Sequence, residues 1–338
     1  MAEVEPLLLR AAQAEPRYNA AVQAAAAACA ADTVGQTCYI CMDHGDEAEG
    51  LVRGCSCRGE NGFVHVSCLV RAAQVAVERG GGPGWRRWDS CGLCEQSYHG
   101  VVACALGWAC WKTYLGRPEK DQVRGIAMSQ LGLGLSDANQ HEAALSVREA
   151  ELSLMRRLGA SEHRMLAVQT NLAMTYAKLG RTEQALSMRR DVYSATLRLH
   201  GEENKDTIQV ANNYAASLIE LERYAEAKAL FRKTIPVARR VLGESDHLTL
   251  EMKLHYYSNY AMALYKDDGA TPEDLRAAVT TLEDIEGIAR RVLGGAHPIA
   301  TGIQLCLQDA RAALRAREGD DVSSVCEGVA AMMTPGGA

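Results

Sequence analysis

Aromatic residues are scarce in this chain, at 5% of 338 residues with only two Phe, and proline is rarer still at eight. The apolar total is carried instead by Ala and Leu, the strongest helix formers, which favours helices over sheets. No long hydrophobic run exists: the longest, Val101 to Trp111, covers eleven residues, against the ~20 that span a bilayer. Positive charge is not in excess either, since 36 Lys and Arg face 42 Asp and Glu for a net charge of -6. That balance argues against a nucleic-acid backbone or an anionic membrane as the main partner. A basic leader is missing, because Glu3 and Glu5 precede Leu7, Leu8 and Leu9 and no A-x-A site follows. The expectation is a soluble intracellular chain, cytoplasmic or else nuclear. In such a compartment twelve Cys do not read as a disulfide framework. They are metal ligands, catalysts or core thiols.

What is present is a globular composition, with 48% hydrophobic and 23% charged residues. At ~150 residues per domain, the length calls for two architectures. Ten of the twelve Cys fall between Cys29 and Cys110. Within that stretch runs the series Cys38, Cys41, Cys55, Cys57, His65, Cys68, Cys91, Cys94, with 2, 13, 1, 7, 2, 22 and 2 residues between successive members. Two CxxC pairs and one HxxC pair each form a local claw, since two intervening residues let both ligands reach one Zn²⁺ at ~2.3 Å. Eight ligands suit two tetrahedral ions. Cys29, Cys104, Cys110, Cys306 and Cys326 read as small core hydrophobes. His44 and His99 read as loop histidines beside a ligand set that is complete without them. Between Cys38 and Cys94 large apolar side chains are few, so metal must supply much of the stability, on the order of 10 kcal/mol per structural site.

The order of four Cys, one His and three Cys, with a single residue between the third and fourth ligands, resembles the RING-CH (RING-variant) zinc finger of ubiquitin ligases. The segment GCSCRGENGFVHVSCLVRAA, Gly54 to Ala73, and the flanking CYIC and CGLC pairs carry the resemblance, over about residues 35 to 98. The PHD finger shares the ligand order but has a wider third pair and fewer residues before its His. The family's cross-brace implies one zinc on Cys38, Cys41, His65 and Cys68, and a second on Cys55, Cys57, Cys91 and Cys94. It also implies a contact with a ubiquitin-conjugating enzyme through Ile40, Trp88 and Leu93. Two departures stand out: Gly92 replaces the Pro often found after the seventh ligand, and Glu95 replaces the basic residue that follows the last ligand in many RINGs.

From residue 116 a fixed period sets in. RRLG, RLHG, RVLG and RVLG end at Gly159, Gly201, Gly243 and Gly294, at steps of 42, 42 and 51, and Gly116 lies 43 before the first. Ala143, Ala185 and Ala227 mark a second register at steps of 42, and Asn171, Asn213 and Asn259 a third. Nine extra residues in the last interval are accounted for by four before Asn259 and five in the loop DDGATPEDL. Each unit reads as two amphipathic helices, for example Ala167 to Leu179 and Glu183 to Leu199 with Gly201 beyond. Such a pair cannot bury its apolar face alone, so the units stack into a solenoid. The small residues and the closing LG resemble tetratricopeptide repeats of the kinesin-light-chain variety. That resemblance implies a groove lined by first helices, with Thr170, Asn171, Lys178, Asn212, Asn213, Ser258, Asn259 and Lys266 as candidates for binding a peptide. Asn amides suit that task because they donate and accept at once. The same asparagines can equally bond between adjacent helices.

The fold expected is therefore mainly α: a small cross-braced two-zinc module followed by an α-solenoid of helix pairs. Its parts are an Ala-rich helical segment (1–34), the finger (35–98), a connecting or capping helix (99–116), the repeats (117–318) and a tail (319–338). The glycine run Gly80 to Gly84 reads as a loop, since no GK[ST] follows it. In function, the resemblance implies a ubiquitin ligase or ligase subunit with no nucleophile of its own, whose repeats bind substrate or partner. A non-enzymatic scaffold is the alternative, and a PHD-like histone reader a weaker third. Nucleic acid and membrane are not expected partners.

Overall fold

A computed structural model describes residues 9–45, 49–55, 57, 62–80, 82–242, 247–293, 295 and 298–332. Gly243, Gly294, the Arg58–Asn61 stretch and the terminal MTPGGA lie outside the described residues. The chain is mainly helical, and it divides by internal packing into two units, residues 1–181 and 182–338.

The first unit begins with α1 (Ala11–Cys29), made of the Ala-rich segment. A two-stranded antiparallel ribbon follows, β1 (Leu51–Val52) against β2 (Val64–His65), with Leu51 opposite His65 and Val52 opposite Val64. Helix α2 (Val66–Glu78) leads through a 3-10 turn at Gly82–Trp88 to α3 (Gly100–Tyr114). After it come α4 (Gln122–Asp137), α5 (His141–Arg157) and α6 (Glu162–Lys178). Helix α3 is apolar all round, which requires burial on every side, and it receives α1 on one flank and α4 on another. The α3–α4 approach is close because two glycines face it: a Cβ on Gly107 would meet the Gln130 carbonyl at 3.0 Å, and one on Gly134 the Ala103 carbonyl at 2.4 Å. Asp121 caps α4 by accepting the Val123 N–H at 2.9 Å.

Two apolar clusters share this framework. One joins Phe63, Val64, Leu69 and the ligating cysteines other than Cys41 to Ala25 and Cys29 of α1 and to Val102, Ala105 and Leu106 of α3. The other gathers Trp88, Trp108, Trp111, Tyr114, Leu131 and Leu135 with Leu9 and Ala14. The ligand-rich module therefore has no private core. It is built onto α1 before it and α3 after it.

In the second unit α7 (Thr182–His200), α8 (Lys205–Glu220), α9 (Tyr224–Val241), α10 (His247–Tyr265), α11 (Pro272–Leu293) and α12 (Pro298–Met332) pack each on its neighbour, and α8, α10 and α12 also meet across alternate positions. Small residues sit at the crossings: Ala215, Ala227, Ala261, Ala278 and Ala310 are all buried. Gly159 and Gly201, which close two of the sequence repeats, adopt φ of 64° and 76°, the left-handed geometry that ends a helix cheaply only at glycine. The DDGATPEDL insertion is pinned rather than loose. Lys228 of α9 holds Asp267 at 2.5 Å and Asp274 at 3.3 Å, Thr271 and Asp274 cap α11 reciprocally, and Arg317 donates to the carbonyls of Asp268 and Ala270.

Candidate metal centre

The two CxxC turns are built alike. In the first, the Met42 N–H donates to the Cys38 carbonyl (2.8 Å), the Cys38 N–H to the Asp43 carbonyl (2.8 Å), and Thr37 bridges His44. In the second, Glu95 donates to Cys91 (3.1 Å), Cys91 to Gln96 (2.9 Å), and Ser90 bridges Ser97. The residue after each second cysteine, Met42 or Glu95, takes positive φ (67° and 59°), which turns the chain back on itself. Two residues into each turn an amide points at sulfur: Ile40 N–H at Cys38 Sγ (3.4 Å) and Leu93 N–H at Cys91 Sγ (3.3 Å). Burial raises the pKa of both leading thiols, yet the amide bonds outweigh it and bring Cys38 and Cys91 down to about 7. Their neighbours go the other way. Burial pushes Cys55 up to about 11 against hydrogen bonds from Cys57 that lower it, and burial reinforced by Cys41 and Cys38 pushes Cys68 up to about 12.

The remaining ligands come from the ribbon and its flanks. His65 ends β2 and stands at the start of α2, so Cys68, one helical turn on, lies on the same face. Cys55 and Cys57 follow β1. The fold collects the eight into two groups, Cys38–Cys41–His65–Cys68 and Cys55–Cys57–Cys91–Cys94, each with its ligand atoms within 4.8 Å of one another. Individual separations are 3.4 Å for Cys41 Sγ to His65 Nδ1, 3.9 Å for Cys68 Sγ to the same nitrogen, and 3.7 Å for Cys57 Sγ to Cys91 Sγ. A tetrahedral ion with ~2.3 Å bonds to sulfur sets its ligands about 3.8 Å apart, so both cages fit zinc. The other ring nitrogen of His65, Nε2, donates to the His44 carbonyl at 3.2 Å, which leaves the Nδ1 lone pair facing the cysteines. His44 thus contributes its backbone, while its own Nδ1 engages the Gln36 carbonyl at 2.9 Å. His99 sits at the start of α3, outside both groups. Zinc bound in these cages supplies cross-links and no reactive position, since all four places are taken by protein.

Of the three expected contacts for a conjugating enzyme, two are surface residues at the tips of the CxxC turns: Ile40 is 41% and Leu93 54% exposed. Trp88 is not. It is 2% exposed, edge-on to Tyr114 at 5.9 Å, and so belongs to the core that joins the module to α3. The groove candidates are also divided. Thr170, Asn171 and Lys178 lie on α6 in the first unit, and Thr170 Oγ1 is spent on its own helix at Leu166 O (2.8 Å). In the second unit Asn212 is buried, and its Oδ1 accepts from Asn259 Nδ2 at 3.0 Å, tying α8 to α10. Those two amides hold helices together and are not offered to a ligand. Asn213 and Ser258 are half-buried and Lys266 is exposed just past α10. Sequence reasoning passed over Arg148 and Glu151 on α5, both fully buried, and Ser129 of α4, which donates to Glu151. Buried polar residues at those positions leave no motif.

The RING-variant domain family matches residues 38–94, and the tetratricopeptide repeat family matches 165–206 and 207–248. The chain carries a RING-variant zinc module and tetratricopeptide repeats. Among solved structures it is similar to a Podosopora anserina protein described as a kinesin light chain with nearly identical TPR-like repeats, at 19% identity and TM-score 0.46, over 63% of this chain and 96% of that one. It is similar also to the apo form of RapI (11% identity, TM-score 0.43, 74% and 84% covered) and to BtubC from P. vanneervenii (14%, 0.37, 75% and 92%). No curated protein matches the sequence. Among the described residues no helix is long and apolar enough to cross a membrane.

Proposed function

We propose that the zinc module recruits a ubiquitin-conjugating enzyme and that the chain is a cytoplasmic ubiquitin ligase or ligase subunit, with the finger (35–98) as the recruiting part and the repeats (117–318) binding a protein or peptide. The observation that carries this reading is the pair of apolar side chains, Ile40 and Leu93, presented to solvent at the tips of two like-built turns beside the zinc cages. Apolar side chains exposed at such tips are available as anchors for a partner to bury. In this reading the transfer needs no nucleophile from the chain; its part is proximity, holding a charged thioester beside an acceptor lysine. An exposed acid, Glu95, follows the last ligand, so transfer is expected to be slow even where binding is firm. That feature favours the second reading, a scaffold whose finger docks a partner without promoting transfer.

Ubiquitin discharge from a panel of charged conjugating enzymes separates the two. Full-length protein accelerates discharge with at least one of them, and Ile40→Ala, which removes an anchor worth ~2 kcal/mol, lowers the rate about thirtyfold with both zinc ions retained. Trp88→Ala serves as contrast: it destabilises the first unit by roughly 3–5 kcal/mol through its core role. Absence of discharge with every enzyme, from protein holding both ions, establishes the scaffold instead.

A further inference from the structure

Zinc in the first cage, bound by three thiolates and a neutral imidazole, leaves a complex with one net negative charge, and in the second, bound by four thiolates, it leaves two. A buried dianion needs compensation from its surroundings. Two half-buried arginines reach the backbone of that second cage. Arg53 Nη2 donates to the carbonyl of Cys57 at 2.6 Å, while its guanidinium lies 5.3 Å from the Phe63 ring centroid and its own amide donates to Cys29 Sγ at 3.3 Å. Arg87 Nη1 donates to the carbonyl of Cys91 at 3.2 Å. None of the described carboxylates pairs with either guanidinium.

Each arginine also has a glycine that makes room for it. A Cβ on Gly62 would stand 3.2 Å from Arg53 Nε and 3.2 Å from the Cys57 carbonyl, and one on Gly92 would stand 3.2 Å from Arg87 Nη1. Gly92 is the position where the resembling fingers often have Pro, and here the Arg87 guanidinium carbon lies 3.4 Å from where a Cβ would stand. In the first turn the equivalent residue is Tyr39, and the equivalent cage has the smaller charge.

We propose that Arg53 and Arg87 are positioning residues for the four-cysteine zinc site, serving as its counter-ions and fixing the carbonyls of two of its ligands. This rests on the zinc reading and adds to it an unequal dependence of the two sites on arginine. The test uses full-length protein. Zinc release to excess chelator, followed with a chromogenic indicator, gives the rate for each ion, and cadmium-113 NMR of the cadmium-loaded chain tells the four-sulfur site from the three-sulfur, one-nitrogen site. In Arg53→Met and Arg87→Met one ion leaves at least about tenfold faster than in wild type, the range seen when outer partners of metal ligands are removed, and the four-sulfur resonance is the one lost. Arg87→Lys keeps charge and a donor, so it recovers part of the loss. Unchanged release in both Met variants overturns the proposal, as does earlier loss of the three-sulfur ion. Should Arg53→Met fail to fold, Arg87→Met and its Arg87→Lys rescue decide alone. Two ions counted in wild type in the same assay test the metal reading separately.

Discussion

Gly134→Ala and Gly287→Ala are the same substitution in mid-helix, and the structure gives them opposite signs. At Gly287, on the exposed side of α11, a Cβ meets nothing within 4 Å. Ala there gains the helix propensity that Gly lacks, about 1 kcal/mol. At Gly134 the new Cβ lands 2.4 Å from the Ala103 carbonyl oxygen and 3.1 Å from Cys104 Cα, both backbone atoms of α3 that cannot rotate away. Ordinary contact begins at 3.4 Å, so α3 and α4 must part by roughly 1 Å, and a gap of that size forfeits a quarter to a half of each contact it opens. Overpacking of this kind costs about 1–3 kcal/mol, and separation loosens Trp108, Trp111, Leu131 and Leu135, which fill that seam. Net of the propensity gain, Gly134→Ala should lose about 2 kcal/mol. All four tryptophans, at 85, 88, 108 and 111, lie in the first unit. Tryptophan fluorescence in a urea titration therefore follows that unit alone, while circular dichroism sees both. The Gly134 variant shifts the fluorescence midpoint down, and the Gly287 variant shifts only the dichroism, upward. A Gly134→Ala protein as stable as wild type would refute the close α3–α4 approach, and with it the fusion of the zinc module to the repeats.

Lys228→Met should destabilise the second unit by about 2 kcal/mol at neutral pH, because it strands Asp267 and Asp274 without their cation; a thermal melt by dichroism reads the loss. Glu151 gives a pH dependence whose sign is fixed. Burial is the main cause that raises its pKa from 4.5 to about 7, against the opposing Ser129 bond and Arg148 charge. Below 4.5 it is protonated folded or unfolded, between 4.5 and 7 only the folded state keeps the proton, and above 7 the folded state carries the full cost of a buried carboxylate, roughly 3 kcal/mol. The stability difference between wild type and Glu151→Gln should therefore slope with pH across that window, and a flat difference would show that Glu151 is ionised throughout.

The ligand set was legible because all eight residues are chemically distinctive and lie in chain order with short gaps. Their sorting into two cages came with the family resemblance, and geometry then placed the same residues together. The helix pairs were legible from the 42-residue period, although α6 begins at Glu162, five residues before the apolar pattern that announced it. What stayed hidden depends on partners distant in sequence. Trp88 stands three residues before a ligand and reads as part of the finger surface, yet Tyr114 at the end of α3 covers it. Asn212 and Asn259 look like exposed amides until the fold brings them within 3.0 Å. Gly107 and Gly134 look like weak points of two helices, and only the backbone of the facing helix explains them. The Ala-rich α1 has no pattern that names its seat against α3.

Eight side chains are placed to hold two metal ions at closed sites on which the whole module depends. Native mass spectrometry of the full-length protein, with and without chelator, counts the ions. The expected result is a mass excess of two zinc ions per chain, loss of both under chelator with collapse of the module's fluorescence signal, and retention of most helical dichroism by the second unit. A folded chain carrying one ion or none would contradict it.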